Sequence, residues 1–150
     1  MNGELAVFSY ALEKKDIVIC EDERYLWQGG KLIFFKSDPK PDNKPGYAGQ
    51  GWIPTLHLLL SRLILPTIVV DMGAVKFVAN GADIMRPGIK EIPSGIAQDA
   101  LVAIVDERNR KPLAVGVMLL SSEEMQAANS GKVIKTVHYV GDDIWKKGAA

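Results

Sequence analysis

The 150-residue chain has one cysteine, Cys20, so no disulfide can close within it. That fits a reducing compartment. Cys20 ends the apolar run Ile17-Val18-Ile19-Cys20, a setting that predicts a buried thiol. No apolar run approaches the roughly 20 residues needed to span a bilayer. The opening MNGELAVFSYALEKK lacks the basic start and apolar stretch of a secretory leader. A soluble, cytoplasmic protein is expected. The two histidines lie far apart and offer no zinc-ligand spacing with the single cysteine. No G-x-S-x-G, P-loop or G-x-G-x-x-G is present. Asp142-Asp143 reads as a solvated turn and Asp106-Glu107 as a hairpin end. Neither catalysis nor a cofactor or metal is expected. Net charge is lacking too, since 18 basic and 18 acidic residues cancel. General polyanion binders are usually basic, so any nucleic acid is expected to be held by few phosphate contacts, in a shape- or end-specific way.

What is present is a chain with 47% apolar residues, enough for a core. Residues 16–36 read as a β-meander: Asp16–Cys20, a polar turn at Glu21-Asp22-Glu23, Arg24–Gln28, a Gly29-Gly30 hairpin turn, then Leu32–Phe35. Ser37 to Gln50 holds three prolines and reads as a long exposed loop. Thr55 is a candidate N-cap for a helix whose Leu56, Leu59, Leu60 and Leu63 form an inward stripe, ended by Pro66. A domain boundary falls near residue 65, giving an α+β unit over 1–65 and a second unit over 66–150. Beyond it, Leu101–Asp106 and Leu113–Leu120 predict an antiparallel hairpin. Ser121 and Glu124 form a capping box for a short helix that stops at Asn129-Ser130-Gly131. Val133–Val140 is a last strand. Trp27, Trp52 and Trp145 read as packing residues, with Trp52 alternatively an exposed contact. His57 reads as a surface or structural histidine.

The densest signal is Val69 to Ile89, VVDMGAVKFVANGADIMRPGI. A strand at Ile68–Val70 meets a capping Asp71, a helix from Met72 to Ala79, an Asn80-Gly81 stop, a second strand, and a Pro87-Gly88 turn. This run resembles the opening of the archaeal and eukaryotic PUA domain. Val102-Ala103-Ile104-Val105, Ala114-Val115-Gly116-Val117-Met118 and Val137-His138-Tyr139 extend the resemblance over roughly 66–145. Upstream, Gly30-Lys31-Leu32-Ile33-Phe34-Phe35, Ile53-Pro54-Thr55-Leu56 and Leu63-Ile64-Leu65-Pro66 resemble the domain that precedes PUA in the malignant T cell-amplified family, itself similar to the N-terminal part of ligatin. The resemblance implies an α+β chain with a C-terminal PUA pseudo-β-barrel carrying short helices, preceded by a small pre-PUA domain. About fifteen residues precede the first clear strand, and the Pro-rich loop is longer than the family's connection. The expected pre-PUA domain is therefore a reduced one, and contacts the family makes through those regions are not carried over.

The resemblance further implies a non-catalytic RNA-binding protein of the translation apparatus. Its partners would be the small ribosomal subunit or tRNA, in initiation, re-initiation or recycling, together with a protein of the density-regulated type. PUA domains bind RNA where the first helix runs into the second strand, aided by the last strand. Gly81, Ala82 and Asp83 match that position, with Met85 and Gly88 just beyond. Lys76, Arg86 and Lys90 against Asp83 leave a local excess of two positive charges. Lys76 is either a solvated lysine or a phosphate contact, and the planar fork of Arg86 suits phosphate or a guanine edge. Arg86→Glu is expected to weaken RNA binding without unfolding the protein. His138 is either packed in the barrel or stacked on a base. Two rivals stand beside this reading. One is an accessory to tRNA or rRNA modification acting in trans; the other is a protein-interaction module, which the zero net charge favours.

Overall fold

The computed structural model describes residues 18–36 and 51–149. The amino-terminal strands β1 (Val18–Glu21), β2 (Tyr25–Gln28), β3 (Lys31–Lys36) and β4 (Trp52–Pro54) pair antiparallel in chain order. Two left-handed turns set this meander. Gly29 and Gly30 take φ of 56° and 78°, the geometry glycine adopts without penalty, as expected. Asp22 and Glu23 take φ of 50° and 58° despite their side chains. Asp16 and Ile17 of the expected first strand, and the Pro-rich 37–50 segment, lie outside the described residues.

Helix α1 (Leu56–Ser61) is capped by Thr55, whose Oγ1 accepts the Leu58 N–H at 3.2 Å and donates to the Leu32 carbonyl at 2.7 Å. The helix is shorter than the leucine spacing predicts. Arg62 is already extended, four residues before Pro66, so Leu63 falls outside the helix. Leu60 and Leu63 are exposed, and Leu58 takes the core position instead. The reason is that α1 packs on two sides. Leu58 enters a cluster with Leu26, Ile33, Phe34 and Trp52, while Leu56 and Leu59 join Phe35, Ile53, Ala103 and Val115. Trp52 is therefore buried, whereas Cys20 is exposed, contrary to the buried thiol expected from its apolar neighbours.

The second sheet holds β5 (Thr67–Val70), β6 (Ile84–Met85), β7 (Ile89–Glu91), β8 (Leu101–Asp106), β9 (Pro112–Met118) and β10 (Lys132–Tyr139), in the order β6-β10-β9-β8-β5-β7. The β8–β9 hairpin is antiparallel as expected, but β5 and β8 pair in parallel. The sheet curls into a half-barrel and the chain is α+β. One face packs Ile68, Val70, Val102 and Ile104 against Val78 of α2 (Met72–Val78) and Met125 of α3 (Ser122–Ala127). The capping box is formed: Ser121 Oγ accepts the Glu124 N–H and Glu124 accepts the Ser121 N–H. Ala103 and Val115 face the other way, toward the amino-terminal sheet. Strand β8 is thus covered on both faces, which explains its unbroken apolar run.

A further helix, α4 (Asp143–Ala149), follows β10 at the acidic pair expected to be a solvated turn. Asp142 caps it, accepting the Trp145 N–H at 2.8 Å on Oδ1. Its Oδ2 accepts the Tyr139 N–H at 3.0 Å and bonds His138 Nδ1 at 2.8 Å. His138 is fully buried, and its Nε2 accepts the N–H of Leu56, the first residue of α1, at 3.0 Å. That bond leaves the ring proton on Nδ1, donated to Asp142. Burial opposes the Asp142 charge, but His138 and the two backbone N–H groups outweigh it and hold the carboxyl below its ordinary value near 3.8. On α1, His57 stacks on Trp145 with ring centroids 4.0 Å apart and bonds its carbonyl at 3.0 Å. Lys147 reaches Glu21 at 3.2 Å.

A candidate nucleic-acid interface

Helix α2 begins at Asp71, whose Oδ1 accepts the Ala74 N–H at 2.8 Å. The Met72 N–H goes to Glu107 Oε2 at 2.8 Å. Two carboxylates therefore occupy this helix start, a favourable placement against its dipole. The helix is left through Asn80, and Gly81 then turns the chain at φ 86°. A Cβ on Gly81 would lie 2.6 Å from Cε1 of the Tyr139 ring. The last strand thus props the loop from beneath, and only glycine fits above the ring.

Strand β10 also grips the next two residues. The Ala82 carbonyl accepts Thr136 Oγ1 at 2.9 Å, and Asp83 Oδ1 accepts the Thr136 N–H at 2.9 Å. Asp83 Oδ2 pairs with Lys132 at 2.9 Å. Partial burial of Asp83 disfavours its charge, but Lys132 and the Thr136 N–H prevail and hold the carboxyl below its ordinary value. The chain then forms β6 and the 3-10 turn Arg86–Gly88, and the Gly88 carbonyl accepts the Asp71 N–H at 2.9 Å, closing a ring back onto the helix start.

Inside that ring is an open cavity of about 700 Å³. Ala74 and Phe77 of α2 form one wall, Met85 and Pro87 another, and the Asp83–Lys132 pair the polar edge. Phe77 and Met85 are 57% and 50% exposed, unusual for large apolar side chains with no structural need to face water. The cavity offers flat apolar surface and an internally neutralised ion pair. That suits an uncharged planar group better than a bare phosphate.

Of the residues singled out from the sequence, Ala82, Asp83, Met85 and Gly88 line this cavity and Gly81 shapes the loop beside it. Lys76 is exposed on α2, its ammonium 5.2 Å from the Phe77 ring centre. Lys90 is exposed on β7. Arg86 is half-buried and its Nε donates to the Met125 carbonyl at 2.7 Å. A charge reversal there would break a bond to α3 as well as change a surface charge, so Arg86→Glu costs stability beyond the surface-charge effect expected from sequence.

His138 does not belong with them. With both ring nitrogens bonded and no exposed surface, it cannot stack on a base in this fold, and the packed alternative is the one observed. Sequence reasoning passed over Phe77 and Lys132. Phe77 could have been found, since Val78 turns inward and an aromatic on the outer face of a helix is conspicuous. Lys132 carried no signal, because its pairing with Asp83 is a contact between distant parts of the chain. Among the described residues, no three His, Cys, Asp or Glu side chains gather as a metal site, and no helix is long and apolar enough to cross a membrane.

The PUA domain family matches residues 66–140. The chain is 42% identical over 131 residues to an uncharacterized protein of Methanocaldococcus jannaschii, spanning 87% of this chain and 74% of that protein. It is 38% identical over 144 residues to Malignant T-cell-amplified sequence 1 of Rattus norvegicus, spanning 89% and 72%. It is 34% identical over 138 residues to Translation machinery-associated protein 20 of Eremothecium gossypii, spanning 86% and 70%. Among solved structures, a hypothetical protein of Pyrococcus horikoshii OT3 superposes with a TM-score of 0.74 at 30% identity, over 93% of this chain and 84% of that one.

Proposed function

Since the chain belongs to the family of PUA-domain proteins that includes malignant T-cell-amplified sequence 1 and translation machinery-associated protein 20, we propose that its RNA-binding, translation-related role is exercised on the small ribosomal subunit or on tRNA, in the cytoplasm, during initiation, re-initiation or recycling. The protein acts by binding, without a catalytic step. A protein of the density-regulated type is its partner on the ribosome.

The observation that carries this reading is the cavity beside Gly81, with Phe77 and Met85 open to water. An unpaired base enters it against Phe77. Ala82, Asp83, Met85 and Gly88 contact the nucleotide, while Lys76, Arg86 and Lys90 meet phosphates. Stacking on an aromatic side chain contributes about 1–3 kcal/mol per base, so Phe77→Ala weakens RNA binding by roughly 5- to 150-fold. Lys76→Glu weakens it too, and flattens its dependence on salt. The test is binding of the pure protein to small ribosomal subunits and to total tRNA across a salt series, with both variants alongside. Unchanged affinity in both variants, with wild-type binding intact, removes the cavity as the reading surface. The stronger of the two RNA ligands separates a ribosomal from a tRNA role.

A further inference from the structure

The loop joining β8 to β9, residues 107–111, reads Glu-Arg-Asn-Arg-Lys. Three acids, Asp106, Glu107 and Glu91, hold it in place. Asp106 is buried and its Oδ1 accepts the N–H groups of Arg108 and Asn109, folding the loop back on its own strand. Glu107 caps the first residue of α2. Glu91 on β7 binds the guanidinium of Arg110, whose backbone is left-handed at φ 54°. The cations are not committed in the same way. Among the described residues, the exposed side chains of Arg108 and Lys111 make no hydrogen bond or ion pair, and neither does Lys90, next to Glu91. The result is a shaped loop in which Asp106 and Glu107 bond backbone N–H groups, Arg110 pairs with Glu91, and Arg108 and Lys111 are left to solvent.

The position of this loop matters as much as its charge. The Glu107–Met72 bond fixes its start against the first residue of α2, and Asp71 and Gly73 at the same helix start line the cavity. The loop therefore borders the cavity on the side opposite Gly81 along the helix. Nothing in the fold requires arginine or lysine at 108 and 111, since neither packs or pairs.

We propose that the 107–111 loop is a second, phosphate-contacting site, with Arg108 and Lys111 gripping the backbone of an RNA folded or long enough to extend past the cavity. This rests on the RNA-binding reading of the cavity. A short strand fills the cavity alone; a larger RNA spans both sites. Planar guanidinium and mobile ammonium groups are the side chains that serve phosphate oxygens.

The experiment uses Arg108→Gln with Lys111→Gln in one protein, titrated with total tRNA and with oligo(A) across a salt series. Because neither side chain is bonded, the unfolding temperature of the variant should equal that of the wild type. Each phosphate contact contributes close to one unit of slope in log affinity against log salt, so the tRNA slope falls by about two. tRNA affinity drops roughly ten-fold at low salt, while oligo(A) affinity stays within about two-fold. Unchanged tRNA slope and affinity overturn the proposal, and so does an equal loss for both RNAs, which would mark a diffuse field and no separate site. A wild-type protein that holds neither RNA refutes the parent reading, a result distinct from either of those.

Discussion

Replacing Gly81 by alanine tests how the last strand shapes the proposed RNA surface. Two costs add at this position. The backbone sits at φ 86°, which a residue with a Cβ occupies at a cost of about 1–2 kcal/mol. The new methyl would also lie 2.6 and 2.8 Å from two carbons of the Tyr139 ring, inside van der Waals contact. Overpacking of this kind costs about 1–3 kcal/mol. Gly95 provides the control. Its φ is 83°, yet a Cβ there meets nothing within 4 Å. Gly95→Ala therefore carries the backbone cost alone. In urea unfolding followed by circular dichroism, Gly81→Ala should lose about 2–5 kcal/mol and Gly95→Ala about 1–2. For a chain of this size that separates their melting temperatures by several degrees. Shrinking Tyr139 to serine in the Gly81→Ala background should recover the ring-overlap share, seen as a favourable coupling on the order of 1–3 kcal/mol. Equal losses at the two glycines, or zero coupling with Tyr139, would show that the ring does not prop the loop.

Three further outcomes follow from the packing. Asp142→Ala removes the acceptor of the His138 and Tyr139 bonds and the cap of α4, and should cost about 2–4 kcal/mol in equilibrium unfolding. Because folding lowers the Asp142 value, its contribution is complete above the ordinary value near 3.8 and is lost as pH falls through the depressed one; the wild-type advantage over Asp142→Ala should narrow only in that acidic window. Leu58→Ala should destabilise by about 2–5 kcal/mol and Leu60→Ala by less than about 0.5, a contrast that thermal melts resolve and that equal effects would contradict. Arg86→Ala should cost about 1–3 kcal/mol through its lost bond to Met125, so its RNA affinity has to be measured on protein shown to be folded; a melting temperature equal to wild type would mean that bond is not formed in solution.

Local chemistry in the sequence carried most of the elements. Thr55, Asp71 and Ser121 each cap a helix through the residue three positions on, and Gly29-Gly30 form the left-handed turn that their composition demands. What escaped was decided by distant contacts. The leucine spacing in α1 pointed to one inward stripe, but a helix held between two sheets buries a different set. Cys20 sits in an apolar run yet on a strand at the sheet edge, where alternate faces meet water. The parallel β5–β8 pair joins segments far apart in sequence and leaves no local mark. In the candidate site the motif drew attention to Gly81 through Gly88, which the fold does gather around one cavity. Sequence leaves His138 open between packing and stacking because strand alternation does not reveal that a second sheet covers its face. Asp142 reads as a solvated turn in sequence because its partners, His138 and the start of α4, meet it only in three dimensions.

The bond from Leu56 to His138 has a consequence for the order in which the protein is made. The two residues are 82 positions apart. At synthesis rates of about 5–20 residues per second, roughly 4–16 s pass between their appearance. Throughout that interval the first N–H of α1 lacks its imidazole acceptor, and for roughly the first half of it Phe35, Leu56 and Leu59 also lack Ala103 and Val115. The amino-terminal unit is thus completed by a strand made much later in the chain. Nascent chains stalled before Ala103 should expose an apolar face that chaperones recognise, and extension through His138 should bury it.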